Sequence, residues 1–239
     1  MDVKTMPGVL MSLLSIGSLI VILRGLQLSL RKTGWELSKQ KNIFYRTFFI
    51  IILWVGTISL LAWNGFFSDF SKMPPRPAFA VLLPLPFVIA AALSAKGSQL
   101  IKAVPPHWLI GMQSFRILVE ILLWRAFLLN LLPIQMTFEG NNFDGLSGVL
   151  AIPFALILRK KWSSFFSLLY NIIGIALLLN ILVIAVLSMP APLRYFMNEP
   201  PNTLVGEFPF IFLPAVLVVI AYSMHIFSLR QWWLFRKNN

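Results

Sequence analysis

The sequence predicts an all-α integral membrane protein, a seven-transmembrane-helix bundle with its N-terminus outside and its C-terminus in the cytoplasm. Three observations carry that fold class. The 239 residues are 58% hydrophobic and only 12% charged, with a mean hydropathy of +0.82, so the apolar surface exceeds what one water-soluble core can bury. Apolar runs of about 17–25 residues, the length that crosses a bilayer, recur along the chain. The basic residues gather in alternate loops, which gives each run a direction. The 21 Phe and eight Trp fit the same solvent, since aromatic rings suit lipid-facing surfaces and Trp collects at headgroup depth.

Taken in order, the single transmembrane domain has spans at about 7–22, 47–63, 78–95, 107–132, 143–158, 164–188 and 209–228. The first is expected to be retained, because no strongly basic segment precedes it and no small-residue cleavage site follows. The loop after it carries Arg24, Arg31, Lys32, Lys39, Lys41 and Arg46 among Leu26, Leu28, Leu30, Trp35 and Leu37. That pattern suits either an interfacial helix on anionic lipid or a helical extension of the first two spans. Pro74, Pro75 and Pro77 make a stiff entrance to the third span. The fifth is the shortest, held between Asp144 and Arg159, and Pro190, Pro192, Pro200 and Pro201 punctuate the loop before the seventh.

Charge independently requires opposite ends for the two termini. The first loop, Lys96 and Lys102, Arg159 to Lys161, and Arg230, Arg236 and Lys237 hold fourteen basic residues, against four (Lys4, Lys72, Arg76, Arg194) on the other side. The basic set marks the cytoplasm. Spans two and six, and three and seven, share short runs, a layout that resembles the three-one-three arrangement of the sugar-transporting SWEET family.

The fourth span is where function is expected. It carries Gln113, Arg116, Glu120 and Arg125, and an ionisable side chain at a span's centre costs at least about 2.5–3.5 kcal/mol, so it faces a partner or a wet cavity. Gln113, Arg116 and Glu120 fall at i, i+3 and i+7 on one helix face, and Arg116 and Glu120, four apart, are spaced to pair within their own helix. Gln113 and Arg116 lie roughly 8–14 Å from the cytoplasmic start of the span. Tyr170 and Asn171 of the sixth span reach a similar depth, as do Ser223 and His225 of the seventh. These residues form one expected layer, while Arg125 lies near the outer boundary. Gln113, Arg116, Glu120, Tyr170, Asn171 and His225 are therefore the candidate ligand-binding set, with Arg116 presenting five donors to an anion. The competing reading makes them the polar glue of the bundle.

The loop 137–145 carries Glu139, Asn142 and Asp144. Asp144 reads either as a cap on the fifth span or, with Glu139 and Asn142, as an outer-mouth site for a cation or substrate.

Several chemistries are closed. With no Cys there is no disulfide, thiolate ligand or cysteine nucleophile. His107 and His225 lack the spacing of a metal site, no cofactor is implied, and no paired His and carboxylates, nucleophile with base or phosphate loop is present. The last span has no lysine for a retinal Schiff base. A net charge of +12 is explained by topology, so nucleic acid is not an expected partner. The expected partners are the lipid bilayer, anionic lipid at the basic loops, and a second membrane protein or further copies of this chain.

The stretches Trp108-Leu109-Ile110-Gly111-x-Gln113-x-Phe115-Arg116, Asp144 followed by Gly148, Tyr170-Asn171-x-x-Gly174, Phe208-Pro209 with Pro214, and His225-x-x-Ser228-Leu229-Arg230-Gln231 resemble a widespread group of bacterial multi-pass membrane proteins with no activity to transfer. The resemblance covers about the C-terminal two thirds and implies the bacterial inner membrane as the expected location. It implies that Gln113, Arg116, Asp144, Asn171 and His225 match a shared pattern, with Glu120 and Leu177 departing from it. The expected function is to bind or transport a small anionic or amphipathic molecule through a polar intramembrane pocket. The alternative is a non-catalytic accessory or structural subunit of a membrane complex.

Overall fold

In a computed structural model, residues 3–236 are described; Lys237 of the basic set lies outside them. Among the described residues the chain is helices and turns. The helices are α1 Thr5–Arg31, α2 Leu37–Trp63, α3 Arg76–Leu82, α4 Pro84–Leu93, α5 Ala95–Ala103, α6 Pro106–Gly111, α7 Phe115–Leu128, α8 Asp144–Lys160, α9 Ser164–Leu187 and α10 Val218–Arg236. A 3-10 turn, Met112–Ser114, joins α6 to α7, and a π-helical turn, Leu213–Leu217, leads into α10.

Five helices are long and apolar enough to cross a membrane: Thr5–Arg31, Leu37–Trp63, Arg76–Leu93, Ser164–Leu187 and Leu213–Arg236. This corrects the expected seven. The two missing runs fall short for physical reasons. The fourth is divided by the 3-10 turn, which leaves α7 with 14 residues, about 21 Å long, and it carries three charges. The fifth, α8, has 17 residues, about 26 Å, against a hydrocarbon core of about 30 Å. Arg159 and Lys160 close it from one side and Asp144 from the other.

The loop after the first span contains no separate interfacial helix. α1 runs on to Arg31 and α2 begins at Leu37, each 27 residues long, so the helical-extension reading is the one observed. Thr33 closes the junction by donating to Leu30 O at 2.7 Å, and Gly34 takes the left-handed conformation at φ 70°.

Contacts between loops sort the bundle into two ends. At one, Lys4 pairs with Glu207 at 2.5 Å, Arg76 with Asp69 at 2.7 Å and Arg194 with Glu199 at 2.9 Å, so charge there is balanced locally. At the other, Trp35 donates to Gln99 at 3.1 Å and Arg230 to Ser98 at 3.0 Å, and Glu36 is the one acid that the described residues place among the large basic set. The net positive charge is therefore presented at one end.

The core is formed by α7, α8, α9 and α10, with α1 against α7 and α5 clasped to α10. α2 is peripheral: Phe49, Ile50, Leu53, Leu60 and Trp63 are exposed. Its expected counterpart α9 is central, so that pair does not occupy equivalent surroundings. Gln231 of α10 is 1% exposed and its Nε2 donates to Ile101 O and Val104 O at 2.7 Å each, satisfying carbonyls at the end of α5. Gln231→Leu is expected to destabilise the protein by about 1–3 kcal/mol through the buried carbonyls it leaves unserved, read as a lower thermal midpoint in detergent.

Candidate functional site

The polar side chains of the fourth expected span are brought into the centre of the bundle by α7, a helix with little amphipathic pattern because its opposite face, with Leu118 and Ile121 exposed, is apolar as well. Arg116 is 2% exposed. Its Nε donates to Asp144 Oδ2 at 2.7 Å, and its Nη2 bonds and ion-pairs with Asp144 Oδ1. Nη1 and Nη2 each reach Gly174 O at 3.4 Å, and Nη1 meets His225 Nε2 at 3.3 Å. All five N–H groups are thus committed within the protein.

The imidazole of His225 is fixed from both sides. Asn171 Nδ2 donates to Ser167 O at 2.7 Å and to Ser228 Oγ at 2.8 Å, which leaves Asn171 Oδ1 to accept from His225 Nδ1 at 2.9 Å. Nε2 then carries the lone pair that meets the guanidinium, so the bonding assigns the neutral Nδ1–H tautomer. Tyr170 stacks on the ring at 5.8 Å between centroids and donates its hydroxyl to Ser147 O at 3.2 Å. Gly174 makes the approach feasible: a Cβ there would stand 2.4 Å from His225 Cε1.

Four helices are joined in this clasp, α7 through Arg116, α8 through Asp144, α9 through Asn171 and Gly174, and α10 through His225 and Ser228. Of the expected layer, Arg116, Tyr170, Asn171 and His225 are in contact, whereas Ser223 bonds within its own helix to Val219 O at 2.6 Å. Gln113 is completely buried and shares that depth, but it bonds elsewhere, its Nε2 donating to Ala221 O at 3.0 Å while Oε1 has no partner.

Two local expectations are corrected. Arg116 pairs with Asp144 and not with Glu120, because α8 begins beside α7 and presents a carboxylate in bidentate geometry, while Glu120 is held by Asn142. Phe143 is the cap of α8 and Asp144 its first residue, so the carboxylate lies in the first turn and bonds to Arg116 instead of capping. Asn142 shapes the turn, its Oδ1 accepting from the Asp144 amide at 2.9 Å.

Glu120 bonds to the same loop. Its Oε2 accepts from Asn142 Nδ2 at 2.6 Å, the Phe138 amide faces the same carboxylate, and Oε1 makes no hydrogen bond within the bundle. Asn142 and Asp144 therefore point inward. Glu139 is drawn away to Trp124 Nε1 at 2.7 Å on the exposed side, so the three residues do not converge on an outer-mouth site. The two histidines are also separate, His225 in the clasp and His107 on a groove bordered by α1 and α8.

A cavity of about 290 Å³ adjoins the clasp. Its walls are apolar, from Val81 on α3, Leu123 on α7, Leu178 and Ile181 on α9, and Leu217 in the π-helical turn; Arg116, Glu120, Asn142 and Asp144 supply its polar end. Met73, Pro74 and Pro75 sit at its margin, so the proline-rich entrance to α3 also forms the cavity rim. The π-helical turn widens the backbone here, and Trp54 Nε1 donates to Ala215 O within that turn at 2.9 Å.

The sequence reading quotes Ser228 within a shared motif but gives it no role, although it lies at i+3 from His225 on the same face. Ser147 and Ser167 enter through their backbone carbonyls, for which side-chain identity gives no signal.

No curated protein and no solved structure matches the chain. A family model described as a domain of unknown function, DUF8737, matches residues 76–233, a segment that holds every member of the clasp and leaves out α1 and α2. The chain therefore belongs to the DUF8737 family.

Proposed function

We propose that this chain is a multi-pass protein of the bacterial inner membrane that binds, and in doing so helps to move, a small amphipathic molecule within the bundle. The apolar body lies against Leu123, Leu178 and Leu217, and the polar head bonds to Glu120 beside Asn142. In this reading the basic end faces the cytoplasm. The N-terminus is then outside, and the cavity rim at Met73 to Pro75 opens toward the outer leaflet.

The observation that carries the proposal is an apolar cavity whose single polar end includes a buried carboxylate oxygen without a partner. Pockets of this kind bury an apolar ligand body and fix its orientation with few polar groups. Of the ligand classes expected, the geometry supports the amphipathic one with a donor or cationic head. Arg116 has no N–H left for an anion, and Asp144 and Glu120 together place more acid than base at the cavity end.

Native mass spectrometry of the purified protein tests this. A bound small molecule is expected to survive detergent exchange in the wild type and to be lost in Leu178→Trp, which fills the cavity. Retention of the same mass by a folded Leu178→Trp protein would overturn the assignment.

The accessory-subunit reading has its own supporting observation. The exposed apolar face of α2, from Phe49 to Trp63, is as suited to a partner's span as to lipid, and the self-contained clasp needs no ligand. A stoichiometric membrane partner on a chain that carries no small molecule would favour it.

A further inference from the structure

On the face of α7 opposite the clasp, a groove of about 1050 Å³ runs between α1, α6–α7 and α8. Three helical stripes build it. On α8, Ile152, Ala155, Leu156 and Arg159 fall at i, i+3, i+4 and i+7. On α6–α7, His107, Gly111 and Leu118 continue one face, and on α1, Leu10, Gly17 and Val21 do the same. Gly17 has no atom within 4 Å of where a Cβ would stand, so the groove is open beside it. Its apolar walls are exposed, with Leu118 at 52% and Leu156 at 54%.

The charge in this groove is confined to one end. His107 and Arg159 are its ionisable residues, both at the basic end of the bundle, and no Asp or Glu lines it. Lys32 and Arg159 both bring positive charge to His107. From His107 to Leu122 the groove follows fifteen residues of helical run, roughly 22 Å. One leaflet with its headgroup region measures about 20–22 Å. A basic mouth, an apolar channel and a leaflet-long path match a molecule with an anionic head and a hydrocarbon tail.

We propose that this groove holds one acidic glycerophospholipid of the adjoining leaflet, its phosphate at Arg159 and His107 and an acyl chain running past Gly111 and Gly17. The site is separate from the cavity beside Glu120 and stands independently of what that cavity binds. Its residues on α1 lie outside the family segment, whereas His107 and Arg159 lie within it.

The test uses the full chain in nanodiscs of phosphatidylcholine, with or without phosphatidylglycerol, and native mass spectrometry to count retained lipid. One phosphatidylglycerol per chain is expected to remain, with phosphatidylcholine removed. Arg159→Gln is expected to weaken retention about fivefold, the effect of one basic group near an acidic lipid, and Arg159→Lys to restore most of it. Gly17→Leu, placed in open space, is expected to abolish retention while the molecule lost in Leu178→Trp stays bound. Equal retention of the two lipids, or unchanged phosphatidylglycerol in either Arg159→Gln or Gly17→Leu, would overturn the proposal.

Discussion

Replacing Asp144 with Ala is expected to lower the stability of the bundle by about 3–5 kcal/mol, the cost of removing one partner from a buried ion pair. Arg116 would keep only Gly174 O and His225 as neighbours, in a site where the guanidinium is 2% exposed. Thermal unfolding in mild detergent, followed by circular dichroism, reads the loss. The double change Arg116→Met with Asp144→Leu is expected to recover much of it, since removing both charges leaves no orphan. The neutral bonds of the clasp are weaker, about 0.6 kcal/mol on average between membrane helices, so Asn171 to Ser228 cannot substitute for the pair. If Asp144→Ala unfolds at the wild-type temperature, the ion pair does not hold α7 to α8.

Gly174→Ala is expected to cost about 1–3 kcal/mol by overpacking. The new methyl would stand 2.4 Å from His225 Cε1 and 2.8 Å from Nε2. The ring has little freedom to yield, because Tyr170 stacks on it and Asn171 holds Nδ1 at 2.9 Å. Displacing it also separates Nε2 from Arg116. A double-mutant cycle identifies the cause: in a His225→Ala background the same glycine change is expected to cost little, so the two sites couple strongly. Additive effects would show that Gly174 matters for some reason other than its contact with the imidazole.

Much of this arrangement could be read from the chain. Composition and apolar runs point to a membrane helical protein, and depth arithmetic from the run ends places Arg116, Tyr170, Asn171 and His225 together across three helices. Helical rise is regular enough for that. Partner choice was not legible. Local spacing favours Arg116 with Glu120, whereas the pair made is Arg116 with Asp144, because only the tertiary fold shows where α8 starts relative to α7. Asp144 resembles a cap for the same reason: a carboxylate at a helix start satisfies the local rule whether or not another helix claims it. The count of spans failed where charge and length conflict, in the interrupted run 106–128 and in the 17 residues of α8. The loop after α1 was ambiguous because leucines interleaved with bases suit both an interfacial helix and a helix extended beyond the bilayer. The cavity left no sequence signal, being lined by ordinary apolar residues from six separate stretches of the chain.

Under the proposed function neighbouring residues have different tasks: Arg116 locks the bundle, and Glu120 is expected to receive a ligand. An electron cryomicroscopy map of the purified protein in nanodiscs tests that division most directly. The expected result is non-protein density between Leu123, Leu178 and Leu217 with its polar end at Glu120, and Arg116 still bonded to Asp144. A cavity collapsed on itself, or a ligand bonded to Arg116 with Asp144 released, would contradict it.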